Sequence, residues 1–200
     1  MGQILEAPAN EDVKRVLFHG ARSYNRWAPT RVTDQELREV FDLMKWGPTS
    51  ANSSPARFVF VRSAQAKARL VRCVSTKNQV KIEQAPVTVI IGMDGKFADR
   101  LPFLFPHAPE ARHWFGDDEL ARVTALRNSS LQGAYFILAA RLMGLDCGPI
   151  SGFDQTLVDQ EFFKGSSVQS NFLCALGHGT EEALYPRSPR FEFEDVCTFE

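Results

Sequence analysis

Apolar and polar positions along this chain switch between two periods. Asn10 stands ahead of Val13, Val16 and Leu17, which share one face of a short helix that Gly20 can close. Thr33 and Glu36 then form a capping box before Leu37, Val40, Phe41 and Met44, again at helical spacing. RFVFVR, residues 57–62, has the branched and aromatic character of a strand, and AQAKARLVRCV after Ser63 returns to a helical period. PVTVIIG, residues 86–92, is apolar almost throughout and predicts a strand covered on both faces. The pattern describes a central sheet with helices around it.

Between Gly95 and Gly116 the run KFADRLPFLFPHAPEARHWF has no settled period and reads as a long excursion or lid. From Asp117 onward Leu120, Val123, Leu131, Ala134, Leu138 and Leu142 recur in helical register up to Gly144. They predict a helix of about 27 residues, long enough to act as a spine or a subunit contact. CGPISGFD is expected to turn, QTLVDQEFF to form a short helix capped by Asp154, and SNFLCALGHG to form another strand. The alternating RFEFE near the C-terminus has the pattern of an added strand, and NQVK, residues 78–81, that of a polar turn. No repeat, low-complexity block or linker divides residues 1–200, so one domain is expected.

Composition supports one sizeable core: 200 residues with 44% hydrophobic content can bury about 70% of the surface that the unfolded chain exposes. Lys and Arg number 23 against 24 Asp and Glu, and the formal charge of -1 gives no bulk field to draw nucleic acid or acidic lipid. Cys73, Cys147, Cys174 and Cys197 are widely spaced, which points away from a disulfide framework or a zinc site and towards a reducing compartment. The opening residues MGQILEAPANEDVKRV acquire acidic side chains too early for a secretory signal, and no apolar run approaches the roughly 20 residues of a membrane span. A soluble, cytoplasmic protein is expected.

Several local chemistries are weak. Gly177-His178-Gly179 lacks the third glycine and the docking helix of a dinucleotide loop. His107 and His113 have no carboxylate or thiolate partners at ligand spacing, and no metal is expected. No Gly-x-Ser-x-Gly elbow occurs. What remains is dispersed: ARSYNRW, NQVK, GPISGF, YPRSPR, and the stretch KWGPTSANSSPARFVFVR, whose Pro48 to Pro55 offers more polar capacity than a turn consumes. Taken singly, each reads as ordinary surface or turn. Together they describe a site built from separated loops, where guanidinium and hydroxyl groups grip a phosphate and backbone groups border a flat ring.

The ordered set MKWGPTSANSSPARFVF, RNSSLQGAY, GLDCGPISGFD and FFKGSS resembles the nitroreductase family of FMN-dependent oxidoreductases over nearly the whole chain, and within it the malonic semialdehyde reductase branch. The resemblance implies an α+β fold with a central mixed or antiparallel sheet, in an intertwined homodimer with FMN at the interface. It implies that Pro48, Thr49, Ser50 and Asn52 border the flavin of the partner subunit, and that Arg22, Ser23 and Asn25 reach phosphate and ribityl groups. Asn78 and Lys81 would address the pyrimidine edge, Pro149, Ser151 and Gly152 would lie along the ring, and Arg187 and Arg190 would reach the phosphate. Many relatives have two basic residues where this chain has ARSYN, and a glutamate where it has Ser151. The activity implied is ping-pong hydride transfer from NADH or NADPH through the flavin, with Lys81 as electrostatic support and no catalytic side chain. Malonic semialdehyde would be reduced to 3-hydroxypropionate in pyrimidine degradation, with Arg100, Arg112 or Arg127 holding its carboxylate. A broad nitro or quinone reductase and a non-catalytic flavin-binding protein are the alternatives.

Overall fold

In the computed structural model, which describes residues 10–200, four strands form one antiparallel sheet in the order β1-β2-β4-β3. They are β1 (Ala56–Val61), β2 (Val87–Asp94), β3 (Asp146–Ile150) and β4 (Val168–Gly177). β2 pairs with β1 on one side and β4 on the other, and every residue from Val87 to Met93 is buried, as its unbroken apolar run predicts. The expected mixed or antiparallel sheet is thus antiparallel in all its strand pairs; among the described residues the one parallel contact is an isolated bridge from Ser23 to Cys147. Residues 1–9, part of the stretch read for a signal, lie outside the described residues.

Helices cover both faces. They are α1 (Glu11–Lys14, running into a π turn over Arg15–His19), α2 (Asp34–Met44), α3 (Ala64–Val71), α4 (Thr76–Gln84), α5 (Leu101–Leu104), α6 (Asp118–Leu142), α7 (Gln155–Phe162) and α8 (Phe193–Val196). On one face α2 and α6 pack Val40, Met44 and Phe136 against Val89, Ile91 and Leu176; on the other α3, α4 and α7 pack Leu70, Ile82 and Val158 against Ile90 and Leu173. Alternation along the strands sorts the two cores. The capping box of α2 forms as its sequence requires, with Thr33 N donating to Glu36 Oε2 at 2.7 Å and Glu36 N to Thr33 Oγ1 at 3.2 Å. The 95–116 excursion contains α5 between two 3₁₀ turns, Phe97–Arg100 and Pro109–His113.

Four expectations change. NQVK lies inside α4, because Lys81 occupies an inward position beside Ile82 and hides the helical period. CGPISGFD begins with strand β3; this strand is at the sheet's edge, where the missing N–H of Pro149 is tolerated. RFEFE does not form a strand: Glu192 and Asp195 make a capping box that turns the segment into α8. As far as Gly133 the inward face of α6 is small and polar, with Ala121, Thr124, Ala125, Asn128, Ser129, Gln132 and Gly133 buried ahead of Phe136, while Leu120, Leu131 and Leu142 are exposed. A methyl at Gly133 would overlap the Phe172 ring, so the sheet approaches too closely for a leucine face. Among the described residues, no helix is long and apolar enough to cross a membrane.

Candidate functional site

The turn after α1, the helix α4, the exposed Pro149 of β3 and the tail segment 185–190 enclose a cleft of about 850 Å³. Residues 23–28 are laced along the sheet: Tyr24 N donates to Cys147 O at 3.0 Å, Ala28 N to His178 O at 2.8 Å, and Trp27 bridges to Gly179. The tail is clasped over this segment. Arg22 donates to Tyr185 O, Asn25 Nδ2 to Ala183 O at 3.1 Å, and Arg187 Nη2 to His19 O and Ala21 O at 2.8 and 2.9 Å.

Arg22, Ser23, Asn25, Asn78, Lys81, Pro149, Arg187 and Arg190, all singled out in the sequence, line this one cleft. Leu17, Phe18, His19, Arg141 and Tyr185 join them. Only Tyr185 falls in a stretch singled out in the sequence, YPRSPR; the other four reach the wall through the π turn and the end of α6, which sequence spacing does not reveal. Arg22, Lys81, Arg141, Arg187 and Arg190 give the lining five cations, and among the described residues no carboxylate lines it. On a chain of net charge -1, that is a local concentration of positive charge.

Lys81 is 6% exposed, and burial lowers the pKa of its ammonium. Its acceptor Pro149 O stands at 3.5 Å, the outer limit of a hydrogen bond. Gly148 makes room for it, because a methyl there would overlap both Lys81 Cε and Tyr24 O. Asn78 Nδ2 donates to Gly152 O at 3.1 Å and Ser75 N donates to the same oxygen at 3.1 Å, so Gly152 is held beside the lysine corner although it and Ser151 are not cleft walls. Cys147 is no competing nucleophile: a contact from Cys174 and burial push its thiol well up. Among the described residues, no cluster of His, Cys, Asp or Glu could hold a metal ion.

Pro48, Thr49, Ser50 and Asn52 lie apart from the cleft, against α6 and α5. Tyr135 donates to Pro48 O at 3.0 Å, Ser54 N to Thr49 Oγ1 at 3.1 Å, Ser50 N to Asn128 Oδ1 at 2.8 Å, and Asn52 Nδ2 to Leu104 O at 2.7 Å. Ala51, Asn52 and Ser54 have φ of 49°, 48° and 39°, a run of left-handed backbone without glycine. Arg100, Arg112 and Arg127 are exposed and also outside the cleft lining. They belong to the same neighbourhood as that segment, in the two turns flanking α5 and beside Asn128 on α6.

The fold and the cleft define an α+β protein with a pocket lined by cationic side chains. The chain belongs to the nitroreductase family: the profile described as "Nitroreductase family" matches residues 20–178. A protein of Caulobacter sp. (strain K31), provisionally named NADH dehydrogenase/NAD(P)H nitroreductase, is 57% identical over 181 residues, 90% of this chain and 93% of its own. HadB of Ralstonia pickettii, with the same provisional name, is 54% identical over 91% of this chain and 94% of its own. Among solved structures, a provisionally named nitroreductase of Exiguobacterium sibiricum 255-15 in complex with FMN has a TM-score of 0.84 at 22% identity, covering 96% of this chain and 99% of that one. The ydfN protein of Bacillus subtilis has a TM-score of 0.85 at 19% identity, over 92% and 97% of the two chains.

Proposed function

We propose that the cleft holds FMN and that the chain, one domain over residues 1–200, is an NAD(P)H-dependent oxidoreductase of the cytoplasm. Its preferred electrophile is malonic semialdehyde, reduced to 3-hydroxypropionate in pyrimidine degradation. The observation that carries the cofactor is the lining: five cations without a carboxylate at one end of a sheet, with a buried lysine whose acceptor is at 3.5 Å. That donor set fits a phosphorylated ring system. FMN, when bound, would supply the reversible hydride carrier that protein side chains lack.

The chain's part is to bind and orient. Arg22, Arg187 and Arg190 pair with the phosphate, Ser23 and Asn25 with the ribityl chain, and Pro149, Ser151 and Gly152 border the ring. Asn78 and Lys81 donate to the pyrimidine edge, where the lysine favours the negative charge that reduction places there. Pro48, Thr49, Ser50 and Asn52 of the partner subunit close the other side in a homodimer. Two features support the homodimer: the segment lies outside its own chain's cleft, and α6 turns Leu120, Leu131 and Leu142 outward. Because Asn52 is tied to Leu104 O, α5 and its flanking turns travel with that segment. Arg100, Arg112 or Arg127 would then meet a substrate carboxylate in the partner's cleft.

The purified protein is expected to be yellow, to release FMN on denaturation and to bleach when mixed anaerobically with NADPH or NADH. A colourless protein that neither binds nor is stabilised by FMN would reject the reading. Turnover of malonic semialdehyde above that of a nitroaromatic supports the substrate. The reverse order would favour a broad nitro or quinone reductase, the reading closer to the name carried by the relatives. Bound flavin that stays oxidised under NADPH and NADH would leave a binding protein without catalysis.

A further inference from the structure

We infer that Arg141, in the last turn of α6, is a further phosphate ligand of the cleft, gripping the anion from the rigid side opposite the tail. The inference rests on the reading of the cleft as an FMN site. Arg141, with Ala21 and Arg22, lines both the main cleft and a smaller pocket of about 220 Å³. Its Nη1 donates to Leu17 O at 2.9 Å. That is one bond from a group with five donors, and Arg141 makes no ion pair among the described residues.

Two guanidiniums converge on one turn, and a third leaves it for the tail. Arg141 holds Leu17 O, Arg187 holds His19 O and Ala21 O, and Arg22 reaches across to Tyr185 O. They differ in burial and in the element that carries them. Arg187 rides on the tail and is exposed, whereas Arg141 is half-buried on a helix of 25 residues. A guanidinium already held in place loses less freedom when it binds an anion. Asp146, which also lines the smaller pocket, feels the Arg141 charge but does not line the cleft, so the charge is not neutralised on the side facing the ligand.

The competing account makes Arg141 purely structural, a cation at the C-terminal end of α6 that favours the helix dipole and pins the Leu17 carbonyl. Comparing two ligands that differ only in the phosphate separates the accounts. Flavin-free protein and its Arg141→Met variant are titrated with FMN and with riboflavin at one ionic strength, following flavin fluorescence. A charged hydrogen bond to the phosphate predicts FMN weakened about tenfold to a hundredfold with the riboflavin Kd little changed. Arg141→Lys, which keeps the charge but not the fork, should fall between and carries the test if the methionine variant does not fold. FMN affinity unchanged, or both flavins weakened by the same factor, overturns the assignment and leaves Arg141 as a pin. If the unaltered protein binds riboflavin as tightly as FMN, the cleft has no phosphate site and the function proposed above falls with it.

Discussion

Lys81 keeps a charge where its own chain gives it little support. Burial lowers its pKa from the ordinary 10.5, so between the lowered value and 10.5 the unfolded chain binds more protons at this residue than the native one. In flavin-free protein its contribution is therefore a penalty, fully present below the lowered pKa and relieved as pH rises through it. Lys81→Met should raise the Tm of flavin-free protein at pH 7, by roughly 1–3 kcal/mol for a poorly paired buried charge or about 2–10 °C, and remove this pH dependence. In flavin-loaded protein the same change should make the midpoint potential more negative, by about 30 mV for each 1.4 kcal/mol of lost stabilisation. A variant with unchanged potential and unchanged flavin-free Tm would deny Lys81 its electrostatic role. At this scale much of the site could be read from residue chemistry: the arginines, amides and Lys81 come together in one cleft. Arg141 was not legible, because it reaches the wall through the tertiary packing of a helix end.

α6 works through the face that hydrophobicity does not mark. Asn128 Oδ1 accepts from Ser50 N, and Gln132 Oε1 from Ala56 N, both at 2.8 Å, so two amides of one helix fix both ends of the left-handed run. The capping boxes and the buried strand were readable because their signals are local in sequence. The orientation of α6 was not, since close packing against the sheet selects small residues inward and leaves the leucines outside. A strained loop held by an outside element should relax when the strain is removed. Ala51, at φ 49°, is the residue least suited to its conformation. A left-handed residue with a Cβ costs about 1–2 kcal/mol, partly offset by the ~0.5–1 kcal/mol that glycine loses in flexibility. Ala51→Gly should therefore raise the Tm of flavin-free protein by about 1–4 °C. A lower Tm in calorimetry would mean that the loop is not strained in solution.

For the whole molecule, apolar surface remains that one chain does not cover. Phe191, Phe193, Val196 and Phe199 are exposed along a tail whose preceding residues are already clasped to the cleft by Arg22 and Arg187, and Leu120, Leu131 and Leu142 are exposed along α6. The alternating RFEFE pattern did not reveal its fate, because the capping box of Glu192 and Asp195 overrides the alternation and starts α8. Deleting residues 191–200 leaves the clasp and the cleft lining in place and removes only the exposed part of the tail. If the dimer is intertwined, that deletion removes buried area from the interface. Each large apolar side chain contributes about 1.5–3 kcal/mol when fully buried, and every 1.4 kcal/mol is tenfold in Kd. Sedimentation velocity at micromolar concentration should then show a dimer for the full chain and a shift towards monomer for the shortened one. FMN retention should fall in step with dissociation, because Pro48, Thr49, Ser50 and Asn52 leave with the partner. A shortened chain that sediments and holds FMN like the full one would place the tail outside the interface.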